Sequence, residues 1–297
     1  MAFTMRVPRT TLHAWILKGI DLIDGIVDKL VLWPDARQSA VNAAEFLSVS
    51  DINGVIGAVD CSHVAIMPRE SERIAYTNRK CFYSIHLLAV VDARGRFVYV
   101  DVGCAGSMAD TTVLRTSSLA TAQVIKSRAN ATPPIRYGFF LLADAGFASL
   151  PWVVQNYTAI QCQKSPGCRK FNHCIGRGRG IVERAYGMLK MRFKRIGGRS
   201  SFDRKEQVSR FVRVCCALHN LAIDMESTLF QAQRVRGNVE VGAATAGVAA
   251  AQFAGRAPAS GSRIGADRAT REAGYRVRQI VANDTLLRRG YSLEALY

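Results

Sequence analysis

The sequence predicts an α/β fold, a mixed β-sheet flanked by helices, and three observations carry that reading. First, short apolar runs of strand length recur at 55–60, 64–67, 83–92, 97–104 and 139–144. Second, two longer segments, about 179–196 and 205–227, place apolar residues at helical spacing. Third, strands that can pair as hairpins come early, and strands separated by helices come later, which is the order of a sheet with antiparallel and parallel parts. With 297 residues and 49% apolar composition, the chain can bury one sizeable core and still carry appendages.

The elements follow in order. Residues 11–33 are apolar at Leu12, Trp15, Ile16, Ile20, Ile23, Ile26, Val27 and Leu30, a helical period that Pro34 stops. A short helix is expected at 39–47. The turn Ala93-Arg94-Gly95-Arg96 joins the runs 83–92 and 97–104 into a hairpin, and 110–118 begins a helix with Asp110 near its N-terminus. After the strand at 139–144, Pro151 suggests a short helix over 149–157, and 159–163 reads as a further strand. Residues 164–178 read as a loop rich in Gly, Arg and Cys. From about residue 232 the pattern gives way to Gly/Ala runs, and 256–289 carries eight arginines against three acids, which reads as a flexible basic tail.

Composition narrows the partners. A formal net charge of +17 suits a polyanion, either nucleic acid or an anionic membrane. No run of about eighteen apolar residues is present, which argues against a transmembrane span, and the N-terminus lacks a signal-peptide core. Nucleic acid is therefore the expected partner. The eight cysteines are scattered through apolar patterns, as in a reduced intracellular protein. Cys162, Cys168, His173 and Cys174 lack the paired spacing of a structural zinc site.

Four carboxylates stand out. Asp60 closes Gly-Val-Ile-Gly-Ala-Val-Asp, Asp144 closes Phe-Phe-Leu-Leu-Ala-Asp, Asp110 follows a strand-like stretch, and Glu183 lies within Arg179-x3-Glu183-x6-Lys190. Carboxylates at the ends of core strands are costly without partners, and a shared divalent metal is the simplest partner. If the strands ending at Asp60 and Asp144 run parallel side by side, both acids emerge at one sheet edge. Hard oxygen donors there suit Mg2+ or Mn2+, and two such ions can serve an in-line phosphoryl displacement. At 100° per residue, Arg179, Glu183, Gly187, Lys190 and Lys194 share one helix face, so Arg179, Lys190 and Lys194 are placed to bind phosphate. The plain alternative is a surface face on which Glu183 pairs with Arg179 at i−4. Between residues 179 and 213 there are eleven Lys/Arg against three acids, an excess that favours phosphate contact.

The set Gly-Val-Ile-Gly-Ala-Val-Asp60, Gly-Ser-Met-Ala-Asp110-Thr-Thr-Val-Leu, Leu-Leu-Ala-Asp144-Ala-Gly-Phe and Arg179-x3-Glu183-Arg-Ala-Tyr-Gly-Met-Leu-Lys190-x2-Phe193 resembles the PIF/Harbinger-type DDE superfamily transposases, a family that includes Harbinger-derived nucleases. Ala217-Leu-His-Asn220 is similar to that family's closing Leu-His-Asn element. The resemblance spans about 50–225. It implies a ribonuclease-H-like core in which Asp60, Asp110, Asp144 and Glu183 are catalytic metal ligands, leaving open which three dominate. It also implies divalent-metal hydrolysis and strand transfer at transposon ends, a Myb-like DNA-binding partner, self-association and a nuclear location. On this basis 1–48 is a helical remnant of a helix-turn-helix region, truncated relative to the family. Residues 49–228 are the catalytic domain, and 229–297 an Ala/Gly/Arg-rich, largely disordered tail. The chain departs from the family at Cys61, where Gly is usual, at Ala109, where His often stands, and at Phe147, which replaces Tyr. Those departures motivate the alternative of a catalytically inactive, domesticated copy acting as a DNA- or protein-binding module.

Other polar residues in the strand region read as ordinary. Asp92 and Asp101 are expected in solvent, and His63 and His86 as satisfied core or edge histidines. His219 is expected to pack or bond locally to Asn220.

Overall fold

The computed structural model describes residues 7–129, 131–198, 205–236 and 268–289. Helices α1 (Arg9–Asp24) and α2 (Val27–Leu30) come first. Helix α3 (Ala36–Ser50) follows Pro34 and is capped by Asp35, which accepts the Gln38 amide at 2.7 Å. Strand β1 (Val55–Ala65) leads through α4 (Arg73–Tyr76) to the hairpin of β2 (Ser84–Val91) and β3 (Phe97–Ala105). Helices α5 (Asp110–Thr116) and α6 (Ser118–Arg128) precede β4 (Phe140–Ala143) and β5 (Val153–Gln155). Helices α7 (Ala159–Lys164), α8 (Pro166–Arg192), α9 (Lys194–Gly197), α10 (Lys205–Arg236) and α11 (Arg268–Arg288) complete the described chain.

The strands make one sheet in the order β3-β2-β1-β4-β5. Strand β1 runs antiparallel to β2 and parallel to β4, and β4 runs parallel to β5. This mixed sheet with helices on both faces is the ribonuclease-H-like architecture the resemblance implies. Because side chains alternate across a strand, each strand feeds two cores. Ala58, Leu87, Ala89, Leu142 and Val154 pack with Ile175, Val182, Ala185 and Leu189 of α8 and Val208, Val212 and Cys215 of α10. On the other face, Val59, Leu88, Val90, Leu141, Ala143 and Val153 pack with Val113 and Leu114 of α5 and Leu119 and Ala120 of α6.

Several local expectations are corrected. Strand β1 does not close at Asp60: it continues to Ala65, absorbing the separate strand read at 64–67, because residues 61–65 pair with β2. The helix read at 149–157 is instead β5, whose Val153-Val154 pair favours a strand. The strand read at 159–163 is α7, fixed by a capping box in which Thr158 and Gln161 bond reciprocally. The loop read at 164–178 is the first half of α8, which starts at Ser165 with Pro166 in its first turn. Its glycines hid it, since each costs about 1 kcal/mol of helix propensity. Gly178 has a reason to be there: a Cβ at that position would lie 2.5 Å from Leu142 Cδ1 in the core. The helix then breaks at Phe193, which lets Phe193 pack on the core and buries Ile196.

The tail also differs. Residues 237–267 lie outside the described residues, but Arg268–Arg288 is a helix rather than flexible chain. Gly274, Arg278, Val281, Ala282, Thr285 and Leu286 form its buried stripe. Gly274 sits where a Cβ would meet the Ser149 and Leu150 backbone at 2.6–2.7 Å. The Arg278 guanidinium stacks 4.2 Å from the Tyr157 ring centroid and donates to the Asn156 carbonyl at 3.2 Å. The arginine count conceals this face, because the buried Arg278 reads in the sequence as solvated charge.

Asp92 is buried, not solvated: its carboxylate accepts the Arg94 and Arg96 amides, each at 2.9 Å, inside the hairpin turn. The Leu-His-Asn element works at long range rather than locally. The Asn220 side chain accepts the Phe97 amide at 2.8 Å, and donates to the Phe97 carbonyl at 2.8 Å and the Leu30 carbonyl at 3.0 Å. His219 Nε2 lies 3.2 Å from the Gly95 carbonyl, and its Nδ1 lies 3.1 Å from an Arg192 Nη1. The element thus clamps α10 to the edge strand β3.

Candidate active site

The register of β1 and β4 places the first two acids. Ala58 lies opposite Leu142, so Asp60 and Asp144 each follow two residues further along neighbouring parallel strands. Strands in that relation are about 4.8 Å apart. Strand β4 stops at Ala143, one residue before Asp144. Alternation turns Asp60 toward the α8 side, with Ala58 before it in that core and Ser62 after it bonded to Lys190 Nζ at 2.7 Å. Tyr186 of α8 donates to the Asp60 carbonyl at 2.7 Å and pins the helix over this point of the strand.

Asp60 carries the electrostatic signature of the site. Its pKa is raised from 3.8 to about 6, mainly by burial, with the charges of Asp144 and Asp110 adding to the rise. The Cys61 amide, which donates to its Oδ1 at 2.8 Å, and the Arg179 cation oppose the rise. Asp144 accepts the Gly146 amide at 2.8 Å, and Thr111 donates to the Gly146 carbonyl at 2.7 Å, tying the loop after β4 to the first turn of α5. Asp144 and Asp110 thus both act on Asp60.

Glu183 is placed differently. Its carboxylate is exposed and makes an i,i+4 ion pair with Arg179 at 2.7 Å, the surface pairing that helical spacing allowed. Arg179 thus stands between Glu183 and the field of Asp60. Lys190 is half-buried, and burial together with Lys80 holds its pKa below the ordinary lysine value. Lys194 lies beyond the break at Phe193, exposed at the start of α9, so it does not share one continuous helix face with Arg179 and Lys190.

Asp110 has a second set of neighbours that the sequence reading missed. Cys61, His86 and Asp110 present ligand atoms all within 4.8 Å of one another. They lie on the α5 side of the sheet, opposite the side Asp60 faces. Burial and the neighbouring Asp110 push the Cys61 thiol well above its usual range. His86 was expected to be satisfied. Its Nε2 lies 3.0 Å from the Met108 carbonyl, but its buried Nδ1 has no hydrogen-bond partner and faces Asp110 Oδ1 at 3.7 Å. The one available signal was Cys61 beside Asp60; His86 arrives only through its pairing with His63 across β1 and β2.

A sheet with acids at the end of its central parallel pair, below a helix carrying Arg and Glu, defines a nuclease-type core of the DDE class. The chain belongs to the DDE superfamily endonuclease family, whose model matches residues 59–220. Among curated proteins it is similar to HARBI1 of Xenopus laevis, described as a candidate nuclease. The two are 32% identical over 181 residues, covering 60% of this chain and 49% of that protein. HARBI1 of Bos taurus is 30% identical over 193 residues, covering 64% and 52% respectively. An ALP1-like protein of Arabidopsis thaliana is 28% identical over 202 residues, covering 65% and 48%. The chain spans about half the length of the curated relatives it matches. No solved structure matches it. Among the described residues, no helix is long and apolar enough to cross a membrane.

Proposed function

We propose that this chain is a divalent-metal-dependent DNA endonuclease of transposase type, acting on phosphodiester bonds at transposon ends. The observation that carries the reading is the register that sets Asp60 and Asp144 two residues beyond the Ala58–Leu142 pair on adjacent parallel strands, where burial and then the charges of Asp144 and Asp110 raise the pKa of Asp60. Like charges kept together in a family of endonucleases call for a cation, and oxygen donors suit Mg2+ or Mn2+. Asp60 and Asp144 would hold it, with Glu183 released from Arg179 and Asp110 contributing from the adjoining face. When bound, such an ion supplies charge neutralisation at the attacking and leaving oxygens of an in-line displacement.

The protein's own groups have distinct tasks. Asp60 must be ionised to act as a ligand, and a bound cation itself favours that form by displacing the proton. Arg179 and Lys190, beside the acids, orient the phosphate, and exposed Lys194 extends the cationic track. Water attacks phosphorus and the bridging P–O bond breaks, leaving a 3′-hydroxyl that the same site can join to target DNA. The net charge of +17 supports DNA as the substrate. The reading extends to work in the nucleus, to a Myb-like partner for base readout and to self-association.

The test is cleavage of a duplex carrying terminal repeats, with Mn2+. The wild type cuts, and Asp60→Asn and Glu183→Gln lose more than the roughly 100-fold that removal of an outer-shell partner costs. Equal product from all three proteins sinks the mechanism. One feature favours a second reading, a non-catalytic DNA- or protein-binding module: Glu183 is already engaged by Arg179 at 2.7 Å. Calorimetric titration separates the two, since a module of that kind gives no Mn2+ binding heat.

A further inference from the structure

We propose that Cys61 Sγ, His86 Nδ1 and the Asp110 carboxylate form a binding site for Zn2+, separate from the hard-metal site proposed at Asp60 and Asp144. The three ligand atoms already lie within 4.8 Å of one another. Tetrahedral coordination with Zn–S near 2.3 Å and Zn–N or Zn–O near 2.0–2.1 Å requires donors about 3.3–3.5 Å apart. His86 Nδ1 and Asp110 Oδ1, at 3.7 Å, need to close by only a few tenths of an ångström.

The histidine supplies the independent observation. It is 1% exposed, yet Nδ1 has no hydrogen-bond partner. Because the Met108 carbonyl can only accept, Nε2 at 3.0 Å carries the proton. The neutral ring then leaves Nδ1 with a bare lone pair, 3.7 Å from Asp110 Oδ1 and within 4.8 Å of Cys61 Sγ. A buried acceptor left without a donor costs about 1–3 kcal/mol, so the arrangement has a price that a cation would remove. A carbonyl holding the far nitrogen is also the usual support of a metal-bound histidine.

The donor set selects the ion. A thiolate with an imidazole and one carboxylate is a poor cage for Mg2+ and a good one for Zn2+, which tolerates three protein ligands and a water. The ion reaches the site past Asp110, whose side chain is 22% exposed. On binding, the Cys61 thiol proton leaves to water as the sulfur–metal bond forms. The site itself does not depend on the nuclease reading. If both hold, the acids divide: Asp110 to the mixed-donor site, and Asp60, Asp144 and Glu183 to the hard ion.

The experiment titrates the full metal-free chain with Co2+ and then Zn2+, reading the thiolate-to-Co2+ charge-transfer band in the near ultraviolet. One equivalent of Co2+ gives the band and Zn2+ displaces it. Cys61→Ser abolishes it, His86→Gln weakens binding more than about 100-fold, and Asp60→Asn keeps it. In the wild type, Zn2+ also shields Cys61 from alkylation, measured by mass spectrometry, which needs no variant to fold. A band that persists in Cys61→Ser, or unchanged Cys61 labelling at saturating Zn2+, overturns the proposal. No cleavage is read, so failure of the nuclease reading leaves this result intact.

Discussion

Replacing Asp60 with Asn removes one negative charge while keeping an oxygen to accept the Cys61 amide at 2.8 Å. The folded-state pKa is raised from 3.8 to about 6, by burial first and then by Asp144. For an acid shifted in this direction, the penalty runs opposite to the common carboxylate case. Below about pH 4 Asp60 is protonated in both states and costs nothing. Between about 4 and 6 the folded protein holds a proton that the unfolded chain releases, so stability falls as pH rises. Above about 6 the penalty is complete. At 1.36 kcal/mol per pKa unit, the shift corresponds to about 3 kcal/mol. Asp60→Asn should therefore stabilise the metal-free protein by about 1–3 kcal/mol at pH 8, the lower end allowing for burial of the amide. At pH 4 the gain should vanish. Urea unfolding of both proteins at pH 4, 6 and 8 reads the difference directly. Mn2+ at 100 times its dissociation constant should return about 2.7 kcal/mol to the wild type alone and close the gap. A variant no more stable than wild type at pH 8 would refute the account of Asp60 as a charge held under strain.

Three further perturbations test other parts of the molecule. Asn220→Ala removes three hydrogen bonds and leaves the Phe97 amide unpaired, so it should cost about 2–4 kcal/mol in urea unfolding. Gly274→Ala drives a Cβ to within 2.6–2.7 Å of the Ser149–Leu150 backbone, which cannot yield as a side chain can. Overpacking of about 1–3 kcal/mol should outweigh the gain in helix propensity, and limited proteolysis should cut α11 faster than in wild type. Lys190→Gln, if Lys190 contacts phosphate, should weaken DNA binding across all sequences. It should also reduce the slope of log affinity against log salt by about 1 in fluorescence anisotropy, and an unchanged slope would assign Lys190 to Ser62 alone.

What the sequence disclosed depended on how local the determining physics was. The Asp60 and Asp144 strands could be read because each is an apolar run ended by an acid, and parallel pairing then aligns them. The continuation of β1 past Asp60 was hidden, since Ser62 and His63 interrupt the apolar pattern while the ladder to β2 holds them in strand. The first half of α8 was hidden by its glycines, and the purpose of one of them, the close approach of Gly178 to Leu142, exists only in three dimensions. By contrast, Thr158-x2-Gln161 was a readable capping signal that the apolar residues between them outweighed. Glu183 could have been foreseen either as ligand or as partner of Arg179, because both use the same helix face. His86 could not have been foreseen at all, because its orphaned nitrogen results from strand register and from the Met108 carbonyl.

The docking of α11 bears on how the chain is made. The helix flanks β5 from both ends, with Gly274 against Ser149 and Leu150 before it and Arg278 on Asn156 and Tyr157 after it. Arg268 lies 113 residues after Gln155, counted as 268 − 155. At roughly 5–20 residues per second of synthesis, the nascent chain waits about 6–23 s between finishing β5 and beginning the helix that covers its flanks. During that interval an edge strand of a nearly complete sheet stands open, the condition under which strands recruit foreign partners. Helix α11 meets both flanks of β5, so until it docks that margin of the sheet is unguarded.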